Sequence, residues 1–270
     1  MNPAGAARAA PLDLARLLAA AGRPGTMWTD VRVVAETGST NADVLALGAD
    51  GAPEGLVIAA ESQTAGRGRQ GRSWQSRPAA ALTFSVLLRP GSVPQAARGW
   101  VPLLAGVAAA RAVRQIAAVD ARLKWPNDLL LGGGKLAGIL AEQSGDAIAV
   151  GIGVNVLGRD LDLPTATATS LERCGAGPTD RTELLAQILR ELQHWYLLWR
   201  ETGGDAAGSG LRPEYLSLCA TLGGLVRVQL PGDRILTGTA VDVDTAGQLL
   251  IRRGGGDVVA VSAGDVVHVR

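Results

Sequence analysis

The chain has 270 residues, of which 47% are hydrophobic and 19% charged, so a disordered protein is excluded and one large core, or a main domain with a small appendage, is expected. The formal net charge of +1 gives no global attraction to nucleic acid or anionic lipid, and an anionic ligand therefore requires a local cluster of cations. Cys174 and Cys219 form neither a disulfide framework nor a zinc-site pattern, and no signal-like or membrane-spanning apolar run is found, so a cytoplasmic location is predicted.

The first 220 residues alternate predicted strands and helices, as in an α/β domain. In chain order the predicted elements begin with a loose tail over 1–11, a short helix that Gly22 ends, a strand around 31–34 and a helix through Leu47. Strands over 56–61 and 82–88, a long helix from Pro94 to about Val119, a β-hairpin within 124–142 and a strand over 147–156 follow. The last predicted elements before residue 220 are a helix capped by Asp180, a flexible loop over 203–210 and a short helix near Tyr215. Thr40 with Asp43 resembles a capping box, which predicts that the Ser-Thr pair at 39–40 lies at a helix N-terminus.

The pattern changes at the glycine pair 223–224. Short alternating strands follow, divided by Pro-Gly-Asp, Ala-Gly and Gly-Gly-Gly turns. The predicted strands are 226–230, 235–243, 248–252, 258–261 and 266–269. They indicate a small SH3-like β-barrel, and the predicted division is therefore an N-terminal tail with a short helix over 1–27, a main domain over 28–220 and a C-terminal domain over 221–270.

Lysine and asparagine are rare in this chain. Only two of 26 basic residues are lysines, Lys124 and Lys135. The four asparagines are Asn2, Asn41, Asn127 and Asn155. A coding bias that replaces these residue types where the change is harmless would make the survivors functional candidates; chance is the alternative with so few residues.

The segment 63–72, Gln-Thr-Ala-Gly-Arg-Gly-Arg-Gln-Gly-Arg, is the strongest local signal. Its glycines allow the backbone to approach a ligand, and its arginines carry planar donors suited to phosphate and carboxylate. The alternatives are an RNA-binding Arg-Gly segment and a solvated loop. A single copy between two strands favours an anion clamp, which is not a P-loop because the Gly-Lys-Ser/Thr ending is missing.

Two further segments contain both lysines. The segment 124–128, Lys-Trp-Pro-Asn-Asp, could place an amide on phosphates and a carboxylate on a magnesium ion, although an ordinary Asx turn explains it equally well. Lys135 begins an apolar strand after three glycines and could stabilise charge on a carboxylate that attacks an α-phosphate. A surface lysine is the usual alternative at such a position.

Other polar residues are weaker signals. The Ser-Thr-Asn run at 39–41 could bind an uncharged polar head group or simply cap its helix. Asn155 follows a Gly-x-Gly that ends a core strand, and could read an adenine edge. His194 and His268 have no partner pattern and are interpreted as structural. No Ser-His-Asp set or metal-ligand cluster is found in the sequence.

Taken together, these motifs resemble the biotin–protein ligase family, and most of all its single-function, actinobacterial members. The matching motifs, in order, are Thr-Gly-Ser-Thr-Asn at 37–41, Gln-Thr-Ala-Gly-Arg-Gly-Arg at 63–69, Lys-Trp-Pro-Asn-Asp at 124–128, Lys-Leu-Ala-Gly-Ile-Leu at 135–140 and Gly-Ile-Gly-Val-Asn at 151–155. The resemblance covers residues 28–270 approximately.

The resemblance implies a class II synthetase-like α/β (α+β) catalytic domain, with a mixed sheet and flanking helices, followed by an SH3-like domain. It implies that biotin's carboxylate attacks the α-phosphate of Mg-ATP to give biotinyl-5′-AMP and pyrophosphate. A lysine of the biotin carboxyl carrier domain of acetyl-CoA, acyl-CoA or pyruvate carboxylase then attacks the mixed anhydride. Such catalysis needs positioning and charge stabilisation but no enzyme nucleophile, in agreement with the lack of a Ser-His-Asp set in the sequence.

The resemblance also implies roles for individual residues. Biotin-binding residues would be Ser39, Thr40, Asn41, Gln63, Arg67, Gly68, Arg69 and Lys135. Adenylate-binding residues would be Arg69, Trp74, Asn127, Lys135 and Asn155. Arg67, Arg69 and Lys135 would be catalytic, Gly66, Asp128 and Gly138 are further candidates, and no structural metal is implied.

The N-terminus departs from the ligases that also repress transcription, since residues 1–27 are too few for their winged helix-turn-helix, and we expect no DNA binding. A lipoate–protein ligase, which shares the fold, and a non-catalytic regulator or RNA binder remain the alternatives. Biotin-stimulated or lipoate-stimulated pyrophosphate exchange separates them. A homodimer, the physiological acceptors and the substrate order are left open by the sequence.

Overall fold

The computed structural model describes residues 10–21, 25–158, 163, 165, 167–230, 234–262 and 264–268. Its helices are α1 Leu14–Ala21, α2 Thr40–Ala49, α3 Trp100–Ala117, α4 Arg181–Glu201 and α5 Leu211–Leu218, with short 3-10 helices at Arg69–Gly71 and Gln95–Ala97. Its strands are β1 Asp30–Thr37, β2 Leu56–Gln63, β3 Ala81–Leu88, β4 Arg122–Lys124, β5 Asp128–Leu131, β6 Gly134–Ser144, β7 Ala147–Asn155, β8 Leu225–Gln229, β9 Ile235–Val243, β10 Leu249–Arg252, β11 Val258–Val261 and β12 Asp265–His268. The predicted helix end at Gly22 and the Pro-Gly-Asp turn at 231–233 lie outside the described residues.

The first seven strands form one mixed sheet in the order β1-β2-β3-β7-β6-β5-β4. The pair β1 and β2 is parallel, and the other pairs are antiparallel. Successive residues of β2 belong to two apolar cores: Val57 to the core that contains α3 and α4, and Ile58 to the core beneath α2. Side chains alternate along a strand, so the apolar run of β2 fills both faces of the sheet.

The last five strands form a separate antiparallel sheet in the order β11-β10-β9-β8-β12. Two indoles connect it to the first domain: Trp100 Nε1 donates to Thr245 O at 2.9 Å and Trp125 Nε1 donates to Gly247 O at 3.0 Å. A mixed α/β domain followed by a small C-terminal β domain confirms the predicted fold class. The second sheet lies within the predicted range 221–270.

Two local predictions were wrong, namely the start of α3 and the capping box of Thr40 with Asp43, although the Ser-Thr pair at 39–40 lies at the N-terminus of α2 as predicted. The helix α3 begins at Trp100 and not at Pro94, because a 3-10 turn precedes it and Gly99 lies against the C-terminal sheet: a Cβ there would be 2.3 Å from Ala246 O. The N-cap of α2 is Ser39 and not Thr40, since the Ser39 hydroxyl accepts from Ala42 N. The Asp43 carboxylate instead accepts from the Thr37 hydroxyl at 2.5 Å.

The end of the predicted loose tail is held in place. Arg181 donates to Ala10 O at 2.6 Å and lies 2.7 Å from the Glu61 carboxylate. Leu12 is buried, and its N–H donates to the same carboxylate at 2.6 Å. Residues 10–12 are therefore anchored to the first domain. The predicted loop 203–210 is likewise a series of hydrogen-bonded turns.

Candidate active site

A pocket of about 780 Å³ lies between the first sheet and the loop over 63–74. Thirteen of the fourteen predicted site residues line it: Ser39, Thr40, Asn41, Gln63, Arg67, Gly68, Arg69, Trp74, Asn127, Asp128, Lys135, Gly138 and Asn155. The fourteenth, Gly66, is not a lining residue. Its carbonyl accepts from Trp74 N at 2.8 Å, and a Cβ on Gly66 would be 2.5 Å from Trp74 O, so Gly66 closes the base of the loop.

One end of the pocket is polar, uncharged and buried. The hydroxyls of Thr40 and Ser85 are 2.7 Å apart, and Ser85 donates to Asn41 Oδ1 at 2.6 Å. Gln63 Oε1 accepts from Thr40 N at 2.9 Å. Asn41 Nδ2 donates to Glu142 Oε2 at 2.8 Å, which fixes the orientation of the amide. These fixed donors and acceptors suit a neutral group with its own N–H and C=O groups, and the first turn of α2 supplies two of the side chains, Thr40 and Asn41.

Glycines on β7 make room for two of the site's side chains. A Cβ on Gly151 would be 2.4 Å from Asn41 Oδ1, and one on Gly153 would be 2.4 Å from the Trp74 ring. The Trp74 ring also lies over Gly138, which pairs with Gly153 across the two strands. An indole can therefore lie flat on the sheet because two neighbouring strands have no side chain at that point.

The other part of the pocket is cationic. Among the described lining residues six are Lys or Arg and two are Asp. Lys135 Nζ lies 2.7 Å from Asp128 Oδ1. Burial lowers the pKa of Lys124, and the charges of Lys135 and Arg72 lower it further against the opposing effect of Asp128. Because these cations lie close enough to repel one another, an anion with several charges would bind between them favourably.

Two arginines of the loop are attached to the sheet. Arg67 Nη2 is 3.3 Å from Glu142 Oε2, and Arg69 Nη1 donates to Asn127 Oδ1 at 3.1 Å. The Asn127 amide is itself fixed, since its Nδ2 donates to Ile139 O at 3.1 Å. Burial is the main cause that lowers the pKa of Arg69. Asn127 thus positions a poorly solvated guanidinium, and its predicted contact with phosphates stays a prediction.

Asn155 is buried at the end of β7, where its side-chain Nδ2 donates to Thr169 O at 3.0 Å and its main-chain carbonyl accepts from Leu171 N at 3.1 Å. It therefore fixes the segment 169–171 along the pocket. A role toward a purine would use the remaining amide oxygen or the second N–H.

Sequence reasoning missed several residues that the fold brings to the site. Ser85 links Thr40 and Asn41, and its signal in the sequence was a hydroxyl that it shares only with Thr83 in an otherwise apolar strand. Glu142 contacts both Asn41 and Arg67 from the far end of β6. His268 was interpreted as structural, but it lines the pocket; burial and then the charge of Lys124 lower its pKa.

None of the described helices is long and apolar enough to span a membrane. Across the described part of the chain, no group of three or more His, Cys, Asp or Glu side chains is placed to hold a metal ion.

The fold is that of an α/β protein, and its pocket suits a ligand with a neutral polar end and an anionic part. Residues 33–158 match the Biotin/lipoate A/B protein ligase family, and residues 221–269 match the Biotin protein ligase C terminal domain. The biotin–[acetyl-CoA-carboxylase] ligase of Mycobacterium tuberculosis is 44% identical over 250 residues, 91% of each chain. That of Paracoccus denitrificans is 32% identical over 86% of this chain and 98% of its own.

Solved structures give the same result. Biotin protein ligase from Aquifex aeolicus in complex with biotin and ATP has a TM-score of 0.74 and 28% identity, covering 90% of this chain and 99% of its own. Biotin protein ligase from Leishmania major in complex with biotinyl-5-AMP has a TM-score of 0.60 and 25% identity, covering 87% and 99%. The chain belongs to the biotin–protein ligase family, and the predicted enzyme class, a ligase, is confirmed.

Proposed function

We propose that this protein joins biotin to ATP, forming biotinyl-5′-AMP and pyrophosphate, and then transfers biotin to a lysine of a biotin carboxyl carrier domain. The observation that supports this most directly is a single pocket in which an uncharged polar end adjoins a cluster of cations. Biotin has a neutral ureido ring at one end and a carboxylate at the other, so it matches this division. The similarity of this chain to biotin ligases in sequence and in fold provides independent support.

The polar end is assigned to the ureido ring. Ser39, Thr40, Asn41 and Gln63 would surround it, and Ser85 would fix the Thr40 hydroxyl and the Asn41 amide. A preformed network loses little freedom on binding, and a ligand that lacks the matching N–H and C=O groups leaves buried polar atoms unpaired. Discrimination against an apolar-tailed acid such as lipoate follows from the same network.

The cationic part is assigned to the carboxylate and the phosphates. Lys135 would stabilise negative charge where the carboxylate attacks the α-phosphate, and Arg67, Gly68 and Arg69 would close over the product. Trp74 offers a flat ring to adenine beside Asn155. Magnesium would arrive with ATP as part of the substrate, near Asp128.

In the second step the enzyme holds the mixed anhydride while an acceptor lysine attacks it. The proposed acceptor is the carrier domain of a biotin-dependent carboxylase. The catalytic domain is proposed to comprise 28–220 and the SH3-like domain 221–270. A cytoplasmic location, no role on DNA and a homodimer stay predictions.

The decisive experiment is exchange of labelled pyrophosphate into ATP. Biotin should stimulate exchange and lipoate should not, and adding a carrier domain should consume the adenylate. Stimulation by lipoate alone would indicate a lipoate–protein ligase, and stimulation by neither acid would exclude both ligase activities.

Gly151 provides a variant that tests the polar end. Gly151→Ala puts a Cβ 2.4 Å from Asn41 Oδ1, so the amide must move, and we expect the KM for biotin to rise about tenfold, the typical effect of losing one hydrogen bond. Gly91→Ala is the matched control, because nothing lies within 4 Å of its Cβ. An unchanged KM for biotin in a folded Gly151→Ala protein would place biotin elsewhere.

A further inference from the structure

Glu142 is a charged residue that lies behind the uncharged end of the pocket. It belongs to β6, its side chain is 27% exposed, and it is not one of the residues that line the pocket. Its Oε2 accepts from Asn41 Nδ2 at 2.8 Å and lies 3.3 Å from Arg67 Nη2. One carboxylate oxygen thus contacts an α2 residue that is assigned to biotin and an arginine of the loop.

The Asn41 amide has one hydrogen-bonding position left for a ligand. Its Nδ2 donates to Glu142 Oε2 and also to Leu140 O at 3.1 Å. Its Oδ1 accepts from the Ser85 hydroxyl at 2.6 Å, and an amide oxygen can accept a second hydrogen bond. A Cβ on Gly151, which lines the pocket, would be 2.4 Å from this Oδ1, so the oxygen lies at the pocket wall beside β7. The second acceptor position of Oδ1 is therefore the one that a ureido N–H can use.

The charge of Glu142 acts on this position through the amide. An amide whose N–H donates to a carboxylate is polarised, so its oxygen becomes more negative and a stronger acceptor. The effect works in both directions, because a ligand N–H on Asn41 Oδ1 in turn strengthens the bond from Asn41 Nδ2 to Glu142. Asn41 is only 4% exposed, so little water screens this coupling.

Arg67 is the counter-ion of this carboxylate. Its guanidinium lies beside the same oxygen that Asn41 contacts, and its side chain is 45% exposed. The pair has no net charge, so the polar end keeps its suitability for a neutral ring although a carboxylate lies behind it. An ion pair with one partner this exposed adds little to stability, so removal of the Glu142 charge should leave the protein folded.

We infer that Glu142 is a positioning residue for biotin recognition: without touching biotin, it strengthens Asn41 Oδ1 as the acceptor of a ureido N–H, with Arg67 as its counter-ion. The inference rests on the proposed function. It adds to the site a residue from behind the pocket wall, and it gives a role to the one carboxylate that joins the polar network. If Glu142 served only to tie the loop to the sheet, its charge would not change the strength of the ureido contact.

The first test is Glu142→Gln, which keeps the shape of the side chain and removes its charge. The Kd for biotin, measured by titration calorimetry, should rise about tenfold, because a charge-assisted hydrogen bond is roughly twice as strong as a neutral one. Glu214→Gln is the matched control: Glu214 lies 2.8 Å from Arg111, its side chain is 26% exposed, and it does not line the pocket. The control should bind biotin as the parent does, and both variants should keep the parent's KM for ATP.

A double-mutant cycle separates positioning from a structural role. In an Asn41→Ala background, Glu142→Gln should change the Kd for biotin by less than about twofold, because the amide that transmits the charge is gone. A full loss that persists in that background, or a parent-like Kd in folded Glu142→Gln, would overturn the inference.

A measurement on the unaltered protein covers variants that misfold. The chain has four asparagines, so selective ¹⁵N labelling of asparagine gives few side-chain signals, among which Asn41 can be assigned. Adding biotin should move the Nδ2 proton of Asn41 that faces Glu142 downfield, because the two hydrogen bonds of the amide strengthen each other. An unmoved proton in a protein that binds biotin would overturn this inference alone. A protein that binds no biotin would overturn the proposed function as well, so the two failures are distinguishable.

Discussion

Lys135 is the residue whose charge the proposed chemistry needs most directly. Its ammonium lies 2.7 Å from Asp128 and its side chain is about one-third exposed, so it adds little to packing. We predict that Lys135→Ala lowers the rate of biotin-dependent pyrophosphate exchange by about a hundredfold or more, the usual effect of losing one preorganised donor. The free energy of unfolding should fall by about 1 kcal/mol, since the pair is only partly exposed and Asp128 keeps the neighbouring charges of Lys124 and Arg69.

The control for this prediction is Arg253→Ala. It also removes the cation of an ion pair, here with Asp257 at an exposed site that does not line the pocket. Exchange by that variant should equal the parent's. If folded Lys135→Ala retains a near-normal exchange rate, Lys135 has no part in adenylation.

Arg69 is assigned one task in the proposed mechanism, which is to hold the adenylate in the pocket. Arg69→Gly removes the donor to Asn127 and adds backbone freedom, while Lys135 still supports adenylation. We predict faster escape of the adenylate, because lost contacts act mainly on the off-rate. A streptavidin blot of a mixture of carrier, serum albumin, ATP and biotin should show labelled albumin with this variant, whereas the parent labels only the carrier. A variant that makes adenylate but labels no albumin would show that Arg69 does not retain it.

At the scale of elements, the loop over 63–74 is the part of the site that is least fixed by packing. Its segment 66–72 contributes no buried hydrophobic residue, and Gln70 and Gly71 both have positive φ. We predict that amide hydrogens of 66–72 exchange fast in the free enzyme and slow at least tenfold when biotin and ATP are bound, since the ligand supplies the missing contacts. The control is the buried strand β3, whose exchange should not change. Equal protection of the loop with and without ligands would rule out closure.

The elements also show what the sequence could and could not predict. The motifs placed thirteen residues in the pocket because each motif occupies a strand end or a loop, where side chains converge. Ser85 and Glu142 were missed because their contacts with Asn41 depend on the order of strands in the sheet, and the local pattern does not contain that order. The start of α3 was misplaced for a similar reason: Pro94 is a good first-turn residue, but the backbone at Gly99 is shaped by Ala246, 147 residues away.

At the scale of the whole molecule, the proposed second step depends on how firmly the C-terminal sheet is held. A groove of about 330 Å³ beside the pocket has one side from each domain, and Trp125 lines it. The Trp125 indole N–H donates to Gly247 O, and Trp125 precedes the Pro126-Asn127 turn. A loosened junction would therefore widen the groove and free Asn127 together. Adenylation, whose assigned residues all belong to the first domain, should be less affected than transfer.

Trp125→Phe tests this dependence, because it keeps an aromatic ring but removes the donor and part of the ring. It leaves a buried carbonyl without its partner, at a cost of about 1–3 kcal/mol, and a small cavity that destabilises the fold further. Trp28→Phe is the matched control. Trp28 is similarly buried and donates to Leu189 O at 3.0 Å, and it lines neither the pocket nor the groove. We expect similar losses of unfolding free energy in urea for the two variants. Only Trp125→Phe should raise the KM for the carrier domain, by about threefold to tenfold, while its KM for biotin stays near the parent's. Equal carrier KM values in the two variants would mean that the C-terminal sheet contributes stability but does not position the acceptor.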